Sequence, residues 1–316
     1  SDLKLALNKD QNNLSYSGSI KTKDFKLGTM MGNNKVGKIT LDLKVNGNHR
    51  NQRYPSVNMQ GLIASAEYSG YTYENISLDG KYEQGGFNGF IALDDPNISL
   101  QLNGNVNAAE KIPTFKFNAN ISHFRPNALQ LTQNYKETEF DFKIKADFTG
   151  GSIDEMKGEI NVDSLLFTAP DKSYFMDNLK LTATQKDEHH KNLSITSKFL
   201  KAGIEGDYSY RTLPTSVLNI MHKYIPALVP AKATTVNTEN NFYFDVHLFD
   251  ADLFSTIFQI PIKLYTHSTL KGYFNDKTQR LRLEGYFPRL RYEDKFIESG
   301  MILCENPNGL FHTRIR

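Results

Sequence analysis

Strict alternation of apolar and polar residues is the feature that most constrains this chain. Between Ile39 and Val45 every second residue is apolar, and the residues between them are Thr, Asp and Lys. A period of two places the apolar side chains on one face of a β-strand and the polar ones on the other. The same pattern recurs in segments 87–93, 98–102, 115–121, 140–148, 242–248 and 281–283. The chain is therefore predicted to be all-β, with one apolar face throughout.

Short segments rich in Gly, Asn and Asp separate the strand patterns and predict tight turns, which favours antiparallel pairing. These turns are predicted at Asn46-Gly47, Gly85-Gly86, Asp94-Asp95-Pro96-Asn97, Asn103-Gly104, Gly150-Gly151 and Asn275-Asp276. Helices are few. The 212–228 segment has apolar residues at spacings of three and four, with Thr212 as N-cap, and 126–135 and 250–258 are shorter candidates.

These few helices cannot cover so many strands. The apolar faces must therefore be closed by other strands or by something that is not protein. Periodicity alone does not distinguish the two, so an ordinary core between two sheets remains an open alternative to a lipid-lined groove.

Composition excludes several functional classes. The 37 Lys and Arg residues are balanced by 35 Asp and Glu residues, and a net charge of +2 gives no field that would attract nucleic acid. The single cysteine, Cys304, forms no internal disulfide. The first residues do not show the pattern of a secretory leader, and no apolar run reaches about 18 residues, so neither a leader nor a membrane helix is predicted within this sequence. Because the sequence opens within a strand pattern and stops abruptly, it is expected to be a soluble piece of a longer protein.

Motifs that carry catalytic or metal chemistry are incomplete. Segment 32–38 matches the first seven positions of a phosphate-binding loop, but Ile39 stands where a Ser or Thr would hold magnesium, and a strand follows. His189 and His190, after Asp187, lie in a hydrophilic segment that predicts a hairpin tip rather than a metal site. No nucleophile has a recognisable partner. We expect no enzyme activity, no cofactor and no metal.

An internal repeat of three strands emerges when the turns are aligned. Segment 41–47 resembles 143–150 and 266–272. A strand that begins with Gly and ends in an aromatic residue follows each of them, at 61–68, 158–167 and 285–292. The third strands begin at 73, 176 and 296. Residues 1–316 are thus predicted to form a single elongated domain with approximate blocks 36–122, 138–230 and 240–316, since such repeats stack on their neighbours.

Several of these segments also carry a family resemblance. They are Phe124-Arg125-Pro126-Asn127-Ala128-Leu129-Gln130-Leu131-Thr132, Ala146-Asp147-Phe148-Thr149-Gly150, Tyr174-Phe175-Met176-Asp177-Asn178-Leu179 and Gly206-Asp207-Tyr208-Ser209-Tyr210. The chain resembles, over about 25–303, the AsmA-like family, specifically the TamB-type translocation and assembly modules. The motifs that carry this resemblance are degenerate patterns of residue types and not invariant residues.

The resemblance implies a bacterial envelope protein whose antiparallel sheet curls into a taco-like groove in the periplasm. It implies an inner-membrane anchor outside this segment, phospholipid acyl chains as ligands, and an outer-membrane assembly partner. The expected function is a non-enzymatic bridge for phospholipid transport between the two membranes in envelope biogenesis. The alternative is a scaffold that pairs with strands of outer-membrane client proteins by β-augmentation.

The candidate groove residues are the apolar members of the alternating strands. They are Leu41, Leu43, Val45, Ile76, Leu78, Phe87, Ile91, Leu93, Leu100, Leu102, Phe115, Phe117, Phe140, Phe142, Ile144, Phe242, Phe244, Val246, Ile262 and Leu264.

Overall fold

The computed structural model describes residues 2–10, 13–49, 55–109, 111–187, 189–213, 215–216, 219, 239–250, 256, 262–265, 267–292, 295–307 and 309–316. Within these residues the protein is an open antiparallel sheet structure with few helical turns, which confirms the predicted fold class. Contacts divide it into two compact units, residues 1–151 with 161–176 and residues 152–160 with 177–316.

The first unit is a meander in which consecutive strands pair. Its elements are β1 (Asp2–Asp10), β2 (Asn13–Lys26), α1 (Leu27–Met31), β3 (Val36–His49), β4 (Ser56–Tyr68), β5 (Tyr71–Glu83), β6 (Gly86–Asp95), β7 (Ile98–Asn107), β8 (Thr114–Phe124), β9 (Glu139–Thr149), the part of β10 (Lys157–Thr168) from Asn161 onward, and β11 (Ser173–Met176).

The second unit is also antiparallel. After a short 3-10 turn (Ile153–Glu155) and the start of β10, its elements are β12 (Leu179–Gln185), β13 (His190–Ser197), β14 (Leu200–Asp207), β15 (Asn241–Leu248), β16 (Ile262–Tyr265), β17 (Ser268–Asn275), β18 (Arg280–Tyr292), β19 (Lys295–Glu305) and β20 (His312–Ile315). Strand β15 pairs with β17, while β16 pairs with the far end of β18.

The structure confirms the strand predictions and most of the predicted turns. Every alternating segment lies in a strand, and turns follow β5, β6, β9 and β17 where they were predicted. Segment 32–38 is also a turn, because Gly32 ends α1 with φ 65° and β3 begins at Val36. A phosphate-binding loop would require the helix on the other side of the loop.

Two turn predictions are wrong. Asn46-Gly47 lies inside β3 and Asn103-Gly104 lies inside β7. A Cβ at Gly47 would overlap the backbone of Ser56, and one at Gly104 would overlap the backbone of Phe117. These glycines permit close approach between strands and do not supply a turn conformation.

Of the three predicted helices, only segment 126–135 lies wholly within the described residues. Segment 126–135 is a series of turns and not a helix, although Leu129 N–H still donates to the carbonyl of Arg125. Most of 212–228 and 250–258 lies outside the described residues, and helical residues are described at Leu213, Thr215, Ser216, Asn219 and Thr256.

Each copy of the predicted repeat falls on three successive stretches of sheet. The first copy occupies β3, β4 and β5, the second β9, β10 and the adjoining ends of β11 and β12, and the third β17, β18 and β19. Gly61 and Gly158, which the repeat aligns, both have positive φ, 153° and 133°. Both positions therefore use a backbone conformation that favours glycine.

A row of glycines crosses three neighbouring strands of the first unit. Gly80, Gly89 and Gly104 lie directly opposite one another on β5, β6 and β7. A Cβ at Gly89 would overlap the backbone of Asp79 and Gly80. The backbones of β5 and β6 therefore approach each other so closely at Gly89 that only glycine fits there.

One end of the second unit has its own core. Tyr208, Phe242 and Phe274 are buried together, and Tyr210 and Leu213 pack against them. The rings of Phe242 and Phe274 are stacked with centroids 5.4 Å apart. The segment that follows β14 thus covers the sheet at this end.

A buried polar network fastens that segment to the strands. Asn240, which is 1% exposed, accepts the Ser209 N–H through Oδ1 at 2.8 Å and donates through Nδ2 to Ser216 Oγ at 2.6 Å. Ser216 Oγ donates to Asp276 Oδ2 at 2.7 Å. The network links the covering segment to the start of β15 and the end of β17.

Asp154 forms a second anchor in the same unit. Its carboxylate accepts hydrogen bonds from Tyr210 N–H (2.7 Å), Ser209 Oγ (2.9 Å) and Lys191 Nζ (3.2 Å). Burial alone would raise the pKa of Asp154, but these three donors lower it below its usual value.

No helix among the described residues combines the length and the apolar character needed to cross a membrane.

Replacing Gly89 tests the close approach of β5 and β6. Gly89→Val should lower the free energy of unfolding by about 1–3 kcal/mol, because its side chain would force the backbones of β5 and β6 apart. The control Asn88→Val changes the neighbouring exposed residue on the same strand and should be neutral or slightly stabilising. Denaturant unfolding measures both variants, and equal effects would contradict a close approach that requires glycine at this position.

Replacing Asn240 tests the polar network. Asn240→Ala leaves the Ser209 N–H without its acceptor and removes the donor to Ser216 Oγ, whose own bond to Asp276 remains, and it should cost about 1–3 kcal/mol of unfolding free energy. Asn241→Ala, at the adjacent exposed position, should change it by less than about 0.5 kcal/mol. Thermal and denaturant unfolding of both variants provide the comparison, and a neutral Asn240→Ala would show that the network adds no stability.

Candidate apolar binding face

Strand register assembles the candidate residues of the first unit into continuous apolar rows. The central row crosses from β1 to β9 through residues that are directly paired. Its members are Leu3, Ile20, Leu43, Gly61, Leu78, Ile91, Leu102, Ala119 and Ile144. Cross-strand neighbours on one face contact each other, so the row forms a single surface.

Two further rows flank the central row on the same face. One comprises Leu41, Ile63, Ile76, Leu93, Leu100, Ile121 and Phe142. The other comprises Leu7, Tyr16, Gly47, Val57, Tyr82, Phe87, Val106, Phe115 and Phe148. We call the three rows, with Val45 and Phe117 between them, the apolar face.

The apolar face carries no charged side chain in any of its rows. Most of its members on β3 to β9 are partly exposed, whereas the residues between them are mostly exposed Asp, Lys, Asn and Gln. Among the candidates, Leu43, Val45 and Leu93 are buried at 7–8% exposure. The described protein therefore leaves much of this face incompletely covered.

Aromatic rings fill part of the face. The Phe87 ring lies over Gly80, where a Cβ would come within 2.5 Å of it. Phe115 stacks on Phe148 with centroids 4.7 Å apart. Phe142 meets Phe124 edge-on at 6.1 Å. These rings supply large apolar areas with restricted motion.

Phe140 belongs to a small protein core more than to the open face. Its ring packs 4.9 Å from Phe167, which is 2% exposed, and 5.5 Å from Tyr135. Segment 125–138 contributes Leu129, also 2% exposed, at this end of the unit. The chain itself therefore covers the apolar rows near the start of β9.

The candidates in the second unit divide into core and open positions. Phe242 lies in the buried cluster with Tyr208 and Phe274, so it is core. Phe244 and Val246 are partly exposed on the same face of β15. For Ile262 and Leu264 only the backbone is described, in β16, and their side chains lie outside the described residues.

Charged groups lie on the opposite, outward face and pair across strands. Lys21 and Asp42 are 2.7 Å apart, and Lys116 and Asp147 are 2.8 Å apart. The hydrogen bond to each carboxylate, followed by its charge, raises the pKa of both lysines. Exposed pairs of this kind add little stability but keep the outward face hydrated.

Sequence reasoning missed one cluster with ligand atoms of the kind that metals use. His123, Glu139 and Asp141 come together because His123 adopts φ 55° at an irregularity of β8. Arg125 Nε donates to Glu139 at 2.9 Å, and His123 N–H donates to Asp141 at 3.0 Å. Burial opposes the shift, but the bonds from Arg125 and His123 lower the pKa of Glu139. These carboxylates are already engaged within the protein.

The His189-His190 segment is a hairpin tip, as predicted. Asp187 Oδ1 accepts the backbone N–H groups of His189 and His190 at 3.0 and 2.8 Å, and these bonds lower the pKa of Asp187. His190 Nδ1 lies 3.1 Å from Asp207 on the paired strand. The pair of histidines thus shapes the turn between β12 and β13.

Comparison of the chain with protein-family models, curated proteins and solved structures gave no match.

Proposed function

We propose that the protein is a non-enzymatic lipid conduit whose apolar face holds phospholipid acyl chains. The observation that supports this proposal is the uncharged, partly exposed face that keeps one register across nine strands of the first unit. An ordinary core would show these side chains fully buried under a second layer. Acyl chains would cover the same surface without requiring any particular residue pairing.

The energetics of such a face favour retention without specificity. Each methylene group removed from water contributes about 0.8 kcal/mol. A long acyl chain is therefore held strongly in total, although no single side chain binds it. Neighbouring rows offer a similar surface, so a lipid can move along the face without entering a deep trap.

The proposed setting is the bacterial periplasm, where lipid passes between the inner and outer membranes. The resemblance to the AsmA-like, TamB-type modules supports this setting, as do the alternating strands and the three-strand repeat. In this proposal an anchor outside the chain holds the protein at the inner membrane. An assembly partner meets it at the outer membrane.

A charge placed on the apolar face tests the conduit. Leu102 lies between Ile91 and Ala119 in the central row. Leu102→Asp should lose most bound lipid, because a carboxylate must either be desolvated or bring water to the acyl chains. Organic extraction of the purified protein followed by mass spectrometry measures the lipid, and the thermal midpoint reports folding.

Asn103→Asp is the matched control, because Asn103 is the adjacent exposed residue on the outward face of β7. It should keep the lipid load and the thermal midpoint of the unmodified protein. The conduit would be rejected if the unmodified protein carried no acyl lipid, or if Leu102→Asp kept its full load. If Leu102→Asp unfolded outright, Leu102 would be ordinary core.

The second candidate function is a scaffold that binds client strands, and β1 favours it. All nine residues of β1 are exposed, and among the described residues β1 pairs only with β2. Leu3, Leu5 and Leu7 extend the apolar rows to this edge. A further amphipathic strand could therefore add to the sheet by backbone hydrogen bonding.

A strand peptide distinguishes the scaffold from the conduit. An amphipathic peptide with alternating Leu and Lys should bind, and N-methylation of every second backbone amide should abolish binding, because it removes the donors of the new ladder. Fluorescence anisotropy of the labelled peptides measures this difference. Equal binding of both peptides would indicate attachment through apolar side chains and would count against β-augmentation.

A further inference from the structure

The outward face of the second unit contains a hollow that neither the apolar face nor the lipid proposal explains. It has a volume of about 440 Å³ and is lined by residues of β13, β14, β15, β17 and β18. On this face side chains otherwise project from each strand at alternate positions. At Gly203, opposite Asp245 on β15, no side chain projects.

Gly203 differs from the other strand glycines of this unit. Gly206 and Gly272 have no room for a Cβ, because it would overlap the backbone of the neighbouring strand. A Cβ at Gly203 would meet only the Leu193 carbonyl oxygen, at 3.9 Å, and Gly203 is not among the glycines with positive φ. The fold therefore does not require glycine here. One use of a glycine inside a strand is to let a ligand approach the backbone closely.

Two tyrosine rings form an open cradle beside this gap. Tyr243 and Tyr273 are paired across β15 and β17, with ring centroids 6.0 Å apart and planes inclined by 52°. Tyr243 is 68% exposed although it stands in the middle of a strand. An aromatic face of this kind packs against the C–H groups of a flat ring that carries polar substituents at its edge.

Polar side chains surround the tyrosines with both donors and acceptors. Glu205 is paired with Tyr243, and Asp245 follows two residues along the same strand. Arg282 is held by Glu284 at 2.5 Å and by Glu305 at 3.4 Å, so its charge is balanced within the protein. Lys271, the other cation of the lining, also pairs with Glu284, at 3.4 Å. With both cations paired within the protein, the carboxylates of Glu205 and Asp245 disfavour an anionic ligand such as phosphate.

We propose that this hollow binds a neutral sugar, with one pyranose ring packed on Tyr243 above Gly203 and its hydroxyl groups bonded to Glu205 and Asp245. The volume accommodates a short oligosaccharide rather than a macromolecule. The planar carboxylates accept hydrogen bonds from hydroxyl groups, and Asn192 and Arg282 offer donors. This site is independent of the lipid proposal, because it lies on the outward face.

Filling the gap tests the site. The probes are N-acetylchitotriose and maltotriose, and calorimetric titration of the full chain should detect binding of at least one. Gly203→Val should abolish that binding while the thermal midpoint stays the same or rises, because space exists for the side chain and valine favours strands. Ser194→Val, opposite Gly203 on β13 but outside the hollow, should bind normally.

The tyrosine is tested separately. Tyr243→Ala should weaken sugar binding at least about tenfold, and Tyr243→Phe, which keeps the ring, should recover most of it. The proposal is overturned if neither trisaccharide binds the unmodified protein, or if Gly203→Val binds the sugar as well as the unmodified protein does. It is also overturned if the hollow binds the cation tetramethylammonium, used as a competing probe, in place of the sugars.

Discussion

The register between neighbouring strands is the constraint on which the rest of the structure depends. Residues on a strand alternate between two faces, so a slip of one position would move every leucine of the central row to the water side and every lysine to the apolar side. Such a slip would cost several large apolar side chains their burial. The pairing from β1 to β9 keeps one face throughout the three rows. The register shifts once between β2 and β3, twice between β3 and β4 and once between β8 and β9, and these shifts leave the rows intact.

Glycine has three different physical roles in this sheet. In the row of Gly80, Gly89 and Gly104 it lets neighbouring backbones approach closely. At Gly61 and Gly158 it supplies a backbone conformation with positive φ. At Gly203 neither reason applies, and the missing side chain opens a hollow between exposed polar residues.

The two faces separate the chemistry of the molecule. Uncharged rows can cover acyl chains, while paired lysines and carboxylates on the other face remain in water. Where the chain must cover its own apolar surface, it uses buried polar anchors such as Asn240 and Asp154 to hold the covering segment in place. Within the second unit, the hollow at Gly203 lies on the face opposite the buried cluster of Tyr208, Phe242 and Phe274.

The sequence by itself determined the fold class, the strands and the residues that share a face. A period of two has only one structural solution, and it also placed Leu41, Leu78 and Leu102 on one surface.

The turn predictions at Asn46-Gly47 and Asn103-Gly104 failed because a glycine suits both a turn and a close approach between strands, and only the neighbouring backbone distinguishes the two. Likewise, only the tertiary structure decided that Phe242 is core while Phe244 is partly open. Burial depends on the segment after β14, which is distant in sequence. The sequence also did not predict that Tyr243 and Tyr273 lie side by side, because strand pairing brings together residues thirty positions apart.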